Sequence, residues 1–296
     1  MSRPVMFNGR LNKNELDIWL DLFKETSDTG FRDRYIARQF LALPESISFV
    51  SSIENQIIGG TSIYKDRTRL SMVLVSVAVK DSFRESTAHQ IIKSSLPFFK
   101  TVAIRDVDVL VAQNESGSSD KIGFPLSLEV DQWVRGAIKN IGFDEVAKIG
   151  QYSFECLEKK SSFIGWDEQP NIEGAKELIW DQGKPLGLTN SLVWVARDFA
   201  ANRGNLVTST IDGKAIVVAG LWKIENTLVV SPLVTDPEVL GWSEAAKGII
   251  SEGSRINAKE IQIPIIGEGQ IGLVEELERR TNVETSRELS LLRKPL

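Results

Sequence analysis

Apolar side chains recur at Leu16, Trp19, Leu20 and Phe23, the spacing of one helix face, so residues 11–25 read as a helix behind an Asn12 or Asn14 cap. A second helical pattern runs through Phe31, Tyr35, Ile36, Phe40 and Leu41 until Pro44 closes it. The period then drops from about 3.6 residues to about 2. Residues 46–53 and 56–64 read as strands joined at Glu54-Asn55, and 70–79 as a third whose two faces are both apolar, which places it inside a sheet. Next come a helix at 86–96 ended by Pro97, a strand at 106–112, a Ser/Gly-rich loop at 113–121, a helix at 130–141 stopped by Gly142, and a strand at 151–157. Residues 159–170 mix charge with Ser161-Ser162, Gly165 and Pro170 and read as a linker.

After the linker the order repeats. A helix is expected at 191–201, strands at 206–211 and 214–222 around the Asp212-Gly213 turn, and a strand at 227–235. A helix at 243–252, a strand at 259–266, a helix at 272–280 and a strand at 286–292 complete the series. The segment 54–64 overlays 212–222 without a gap, and the following strand-to-helix junctions place Val79 on Thr235 and Asp81 on Pro237. The chain therefore reads as two copies of one α+β unit, residues 1–158 and 171–296, each with a mixed, mostly antiparallel sheet flanked by helices.

Composition narrows the chemistry. The 296 residues are 42% hydrophobic and 25% charged, those of a folded chain, and include one histidine, His89, and one cysteine, Cys156. A Cys/His zinc site needs more ligands than this, no metal is expected, and no nucleophile elbow surrounds His89. A net charge of −5 argues against a general grip on nucleic acid phosphate. The longest apolar run, 215–222, is too short to span a bilayer, and residues 1–10 lack the apolar core of a secretory signal, so a cytoplasmic protein without membrane attachment is expected.

The run Val77-Ala78-Val79-Lys80-Asp81-Ser82-Phe83-Arg84-Glu85-Ser86-Thr87-Ala88-His89 resembles the central strand, loop and helix start of the GCN5-related N-acetyltransferase (GNAT) superfamily. Asn140-Ile141-Gly142-Phe143-Asp144-Glu145-Val146 is similar to that family's later helix end and Gly-Phe turn. The likeness covers most of 5–157, and a weaker version covers 172–294.

It implies a fold in which backbone N–H groups at a helix N-terminus hold the pyrophosphate of acetyl-CoA while a splayed central strand receives the pantetheine. In the first copy it points to Val77 and Val79 on the strand, Arg84, Thr87, Ala88 and His89 at the phosphate positions, and Asn114 beside the pantetheine. Thr87 and His89 stand where the family has small residues; His89 is either a phosphate ligand when protonated or a surface helix residue. In the second copy it points to Gly241, Trp242, Ser243 and Ala245, with Leu240 in place of the family's Arg or Gln and with Asp236, Glu238 and Glu244 adding negative charge. The family's proton-donating Tyr corresponds to Ile138 and, loosely, Glu278. The implied activity is acyl transfer from acyl-CoA to an amine on a small molecule or protein. The alternative is a GNAT-fold protein that binds without turnover.

Overall fold

The computed structural model describes residues 5–25, 34–66, 70–100, 105–113, 128–156, 163, 165–188 and 191–296. The elements of the first half are β1 (Met6–Arg10), α1 (Leu16–Glu25), α2 (Arg34–Leu41), β2 (Ser46–Ile53), β3 (Gln56–Asp66), β4 (Ser71–Val79), α3 (Asp81–Lys100), β5 (Asp106–Ala112), β6 (Glu129–Val130), α4 (Val134–Lys139) and β7 (Asp144–Glu155). Those of the second are α5 (Ile172–Gln182), α6 (Ser191–Asn202), β8 (Leu206–Ile211), β9 (Lys214–Ile224), β10 (Thr227–Thr235), α7 (Trp242–Arg255), β11 (Glu260–Ile266), α8 (Ile271–Glu278) and β12 (Val283–Pro295). The mixed, mostly antiparallel sheet with flanking helices is the architecture expected from the sequence.

The described chain divides into two compact units. One takes the described residues of Met1–Ser116 and Pro125–Ala147 together with Leu289–Leu296; the other takes those of Lys148–Glu288.

In the first unit β1, β2, β3 and β4 follow one another antiparallel, β4 pairs parallel with β5, and β5 pairs antiparallel with the end of β12 from Leu289↔Ala112 to Pro295↔Asp106. The β2–β3 turn is built as its residues demand, with Glu54 and Asn55 at φ 51° and 65°. One sheet face packs Ile63, Leu74, Val77, Val79, Val109 and Val111 against Ala88, Ile91 and Ile92 of α3 and Val134 and Ile138 of α4. On α1 and α2, Trp19, Phe40 and Leu41 are fully buried, with Phe40 5.6 Å from the ring of Tyr64.

In the second unit β8, β9 and β10 are antiparallel, β10 pairs parallel with β11, and β11 pairs antiparallel with β7 from Glu260↔Glu155 to Ile266↔Gly150. The β8–β9 turn repeats the first hairpin, with Asp212 and Gly213 at φ 50° and 79°. Its core joins Phe154, Leu228, Val230, Ile261 and Ile263 of the sheet to Ala246, Ile249 and Ile250 of α7 and Leu273, Val274 and Leu277 of α8. Helices α5 and α6 lie against β9 and β10, where Phe199 stacks 4.9 Å from Trp222.

Several boundaries differ from the expected ones, each for a tertiary reason. The last eight residues, read as part of the second copy, complete the first unit's sheet, while β7, read as the end of the first copy, lies mostly in the second unit against β11. Asp108, 0% exposed, fixes β12 there by accepting from Arg293 Nε at 2.7 Å and Nη2 at 3.0 Å. Val130, read as the start of a helix, instead joins Glu129 in β6, because β5 offers an open edge beyond its pairing with β4, and the helix begins at Val134. The residues 165–170, read as linker, are held on the second unit, where Asp167 accepts from the Thr208 and Thr210 hydroxyls at 2.5 and 2.7 Å and Trp166 packs on the core. Helix α3 starts five residues earlier than 86 and continues through 97.

Candidate functional site

In each unit a parallel strand pair opens and the central strand runs into a helix. Strand β4 meets β5 only at Ser71↔Asp106, Met72↔Val107 and Val73↔Asp108. Beyond that point β6 pairs with β5 through Leu110↔Glu129 and Val111↔Val130 and also lies against β4, so the opening holds a strand of the chain itself. Val77 and Val79 sit on the open stretch of β4, both buried under α3.

Helix α3 starts three residues before Arg84, and the amides of Thr87, Ala88 and His89 are spent on hydrogen bonds inside the helix. The Thr87 hydroxyl donates back to the Phe83 carbonyl at 2.8 Å, and Ala88 is 2% exposed in the core. Arg84 is engaged locally: Nε donates to the Val79 carbonyl at 3.2 Å, Nη2 pairs with Asp81 at 3.0 Å, and the guanidinium lies 4.9 Å from the Trp133 ring centroid. His89 lines a cleft of about 210 Å³ together with Arg84, Ala88, Trp133 and Ala137, beside the first turns of α3. Asn114 lies outside the described residues.

The second unit repeats the opening without filling it by a strand. Strands β10 and β11 pair at Thr227↔Glu260, Leu228↔Ile261 and Val229↔Gln262 and then part, and β10 shifts register against β9 between Val230 and Leu233. Across the gap reaches Gln270, from the 3-10 turn Glu268–Gln270 that follows β11. Its Nε2 donates to the Leu233 carbonyl at 2.9 Å and its Oε1 accepts from the Gly267 N–H at 3.0 Å, with the side chain fully buried.

The tip of α7 is bare. Gly241 at the N-cap has φ 73° and ψ 150°, a conformation open to glycine, and no side chain caps the helix. The first intrahelical bond is from the Ala245 N–H to the Gly241 carbonyl, so the N–H groups of Trp242, Ser243 and Glu244 have no acceptor among the described residues.

Two of the three acidic residues that crowd this loop in sequence are engaged by other groups. Asp236 accepts from the Glu238 and Val239 amides at 3.1 and 3.4 Å, and Glu244 pairs with Lys247. A cation stands beside the tip instead: Arg280 Nη2 donates to the Ser243 hydroxyl at 2.8 Å and pairs with Glu276 at 3.3 Å. Trp242 turns its ring against Gly272 of α8, where an added Cβ would come within 2.5 Å of the indole. Ala245 is buried in the core.

Solved structures of similar fold run the length of the chain. A tandem GNAT protein from the clavulanic acid biosynthesis pathway superposes with a TM-score of 0.62 at 12% identity, covering 98% of this chain and 98% of its own. The chain has the tandem GNAT fold. A Pyrococcus horikoshii protein proposed to be an acetyltransferase gives a TM-score of 0.63 at 14% identity over 100% of this chain and 91% of its own. A GCN5-related N-acetyltransferase of Sphaerobacter thermophilus gives 0.58 at 9% identity over 98% and 95%. No protein-family model and no curated protein matches the sequence.

Of the two residues that the resemblance sets at the family's tyrosine, Ile138 is 0% exposed and apolar, and Glu278 is the last residue of α8. Two residues that shape the second opening escape a linear reading. Gln270 stands in a Gly-x-x-Gln capping pattern that signals a helix start but not its reach to Leu233. Arg280, which reads with Arg279 as a solvated helix face, is half-buried on Ser243, whereas Arg279 is 67% exposed and pairs with Glu275 and Glu276. Among the described residues no group of three or more His, Cys, Asp or Glu is placed to hold a metal, and no helix is long and apolar enough to cross a membrane.

Proposed function

We propose that this chain is an acyl-CoA-dependent N-acyltransferase whose working copy is the second unit, with acetyl-CoA as donor and an amine of a small molecule or protein as acceptor. One observation carries the reading: the uncapped tip of α7 behind Gly241, at the end of a central strand that has parted from its neighbour. Three free N–H groups, the positive end of a 14-residue helix and the Arg280 guanidinium suit a pyrophosphate. The tip of α3 offers no equivalent loop, and β6 occupies the opening beside it, so the first copy is assigned a structural role. The two copies are taken as 1–158 and 171–296 with 159–170 between them, with β7 pairing mostly with β11 and the end of β12 with β5.

The open edge of β10 supplies backbone groups that hold the pantetheine and polarise the thioester carbonyl. The amine then attacks that carbonyl directly: its C–N bond forms, the C–S bond breaks, and the departing thiolate takes up a proton as the amine loses one. No side-chain nucleophile is required, in keeping with a chain that has one cysteine, buried and reduced. A binding protein without turnover is the second reading, and the Gln270 bridge to Leu233 favours it, because that amide satisfies the strand edge that the donor needs.

The test is calorimetry with acetyl-CoA on the full chain, beside release of CoA thiol with amine acceptors. Ser243→Asp, which stabilises the helix end but repels phosphate, is expected to weaken binding at least about tenfold, and His89→Ala to leave it unchanged. The reverse pattern moves the site to the first unit. Binding without thiol release selects the second reading, and no binding at millimolar acetyl-CoA removes the first.

A further inference from the structure

Side chains along the strands of the second unit alternate between two faces of the sheet. Phe154, Leu228 and Ile261 turn to the core beneath α7 and α8, and Tyr152 lies on that side over Gly150, beside a cavity of about 390 Å³. The residues between them face the other way, and several are acidic. Glu155 of β7 stands directly opposite Glu260 of β11, and Glu284 of β12 joins them through the Ser153 hydroxyl.

Like charges opposite one another on a sheet destabilise it unless a cation comes between them. Here every side-chain partner of the three carboxylates among the described residues is neutral. Glu260 accepts from the Ser153 hydroxyl, from Gln262 Nε2 at 2.8 Å and from the Thr227 hydroxyl at 3.2 Å, and Glu155 accepts from Asn282 Nδ2 at 2.7 Å. Glu284 shows the consequence. Desolvation, then the charges of Glu260 and Glu155, hold its carboxyl above the ordinary carboxylate range, and the Ser153 hydroxyl opposes them only in part.

A second observation does not depend on those charges. Gln262 is 7% exposed, and its amide oxygen has no hydrogen-bond partner among the described residues. A buried acceptor left unpaired is a cost that a donor would remove. Because Gln262 Nε2 is fixed on Glu260, the unpaired oxygen is held at the edge of the acidic row. Gln262 is also the last residue of β11 to pair with β10 before the two strands part.

The row therefore calls for hydrogen-bond donors that carry positive charge, and for more than one of them. A single metal ion does not answer this, since no three such ligands converge on one point among the described residues. Neighbouring strands stand about 4.8 Å apart, so carboxylates on β11, β7 and β12 spread over roughly 10 Å. That spread suits ammonium groups joined by short alkyl chains, each bringing three donors and no acceptor. Glu284 is exposed, Glu155 and Glu260 are half-buried and Gln262 is buried, so the row is open at Glu284 and closes on Gln262.

We propose that this face of the second unit binds an aliphatic diamine or polyamine, with Glu155, Glu260 and Glu284 taking its ammonium groups and the Gln262 oxygen accepting from the one nearest the parted strands. As a binding site it stands apart from acyl transfer; as the seat of the amine acceptor it rests on the function proposed above.

The experiment is calorimetry on the full chain without acetyl-CoA, with spermidine, 1,4-diaminobutane, butylamine and 1,4-butanediol as probes. Affinity should fall about tenfold with each ammonium group removed, and the diol should not bind. Glu260→Gln and Glu284→Gln should each weaken spermidine about tenfold. Glu284→Gln should also raise the melting temperature of the ligand-free chain, because it removes a charge that its neighbours repel. Gln262→Met, close in volume but without the acceptor, should weaken spermidine about threefold. Glu275→Gln, exposed on α8, should change nothing. No binding of spermidine at about 1 mM overturns the proposal, as does butylamine binding as tightly as spermidine, or wild-type affinity in either glutamate variant of the row. Tighter binding of Mg²⁺ or of trilysine than of spermidine overturns it too, in favour of a metal or a basic peptide. Because acetyl-CoA is left out, failure here leaves the donor-site reading untouched. Spermidine binding without its acetylation once acetyl-CoA is added separates the row from the acceptor role.

Discussion

Replacing Arg293 by Met should unfasten the last strand from the first unit. The Asp108 side chain is 0% exposed and receives two hydrogen bonds from Arg293, whose own side chain is 24% exposed. That guanidinium is held in its charged form above its ordinary range, its hydrogen bond to Asp108 being the largest cause. Removing the cation leaves its carboxylate buried, a change that costs about 3–5 kcal/mol in comparable sites. Water reaching the Arg293 position puts this case at the lower end, about 3 kcal/mol. Replacing both partners, Asp108→Leu with Arg293→Met, removes the stranded charge and should recover most of the loss, giving a favourable coupling in the double-mutant cycle. Urea unfolding followed by circular dichroism and tryptophan emission measures both, and only the transition that belongs to the first unit should move. Raising the salt to about 1 M should barely alter the result, since a buried pair is weakly screened. A loss below about 1 kcal/mol in Arg293→Met, or a double variant as unstable as the single, would refute the reasoning.

Gly241→Ala places a Cβ in open space but at φ 73° and ψ 150°, so it should cost about 1–3 kcal/mol through backbone strain alone and shift the α7 tip; thermal unfolding and acetyl-CoA calorimetry together check this. Gln270→Leu strips partners from the Leu233 carbonyl and the Gly267 N–H, a loss of about 2–4 kcal/mol in urea titration. If the donor uses the same strand edge, acetyl-CoA should raise the variant's melting temperature by more than it raises the wild type's. Tyr152 should ionise above the ordinary phenol range in an ultraviolet pH titration, its contribution identified by its loss in Tyr152→Phe. Its folded-state value is raised above the unfolded one, so the folded chain holds that proton longer and stability falls as pH climbs above about 10; Tyr152→Phe should flatten that part of the profile.

Much of the second site cannot be read along the chain. The α7 junction is visible there, since Gly241 in front of an amphipathic run is a local signal of a helix start. Arg280 and Gln270 are not, because a side chain's reach across a gap depends on the separation of two strands, and no periodicity records that separation. Tyr152 reads as one residue of an alternating strand, and only the turn of its ring over Gly150 brings it to a cavity. Arg84, Thr87 and His89 stand in a run legible along the chain, and the structure places all three in α3, with Arg84 and His89 along one cleft. Helix α5 escapes the linear reading although Asn171 caps it, accepting from the Gly174 N–H at 2.9 Å; the charged, serine-rich stretch before it conceals the signal.

Alone, the sequence determined what short-range forces settle. Glu54-Asn55 and Asp212-Gly213 can take positive φ and so close two matching hairpins, and alternating or 3.6-spaced apolar residues select strand or helix around them. The duplicated order follows from those local choices. Tertiary structure decided which strands share an edge: β6 entered one opening and Gln270 bridged the other, while the end of β12 went to β5 and most of β7 to β11. Backbone hydrogen bonds are the same for every residue, so an open edge accepts whichever segment the packed chain brings to it. Partner choice then rests on contacts such as Asp108 with Arg293, between residues far apart in the chain, which is why it appears only once the chain is folded.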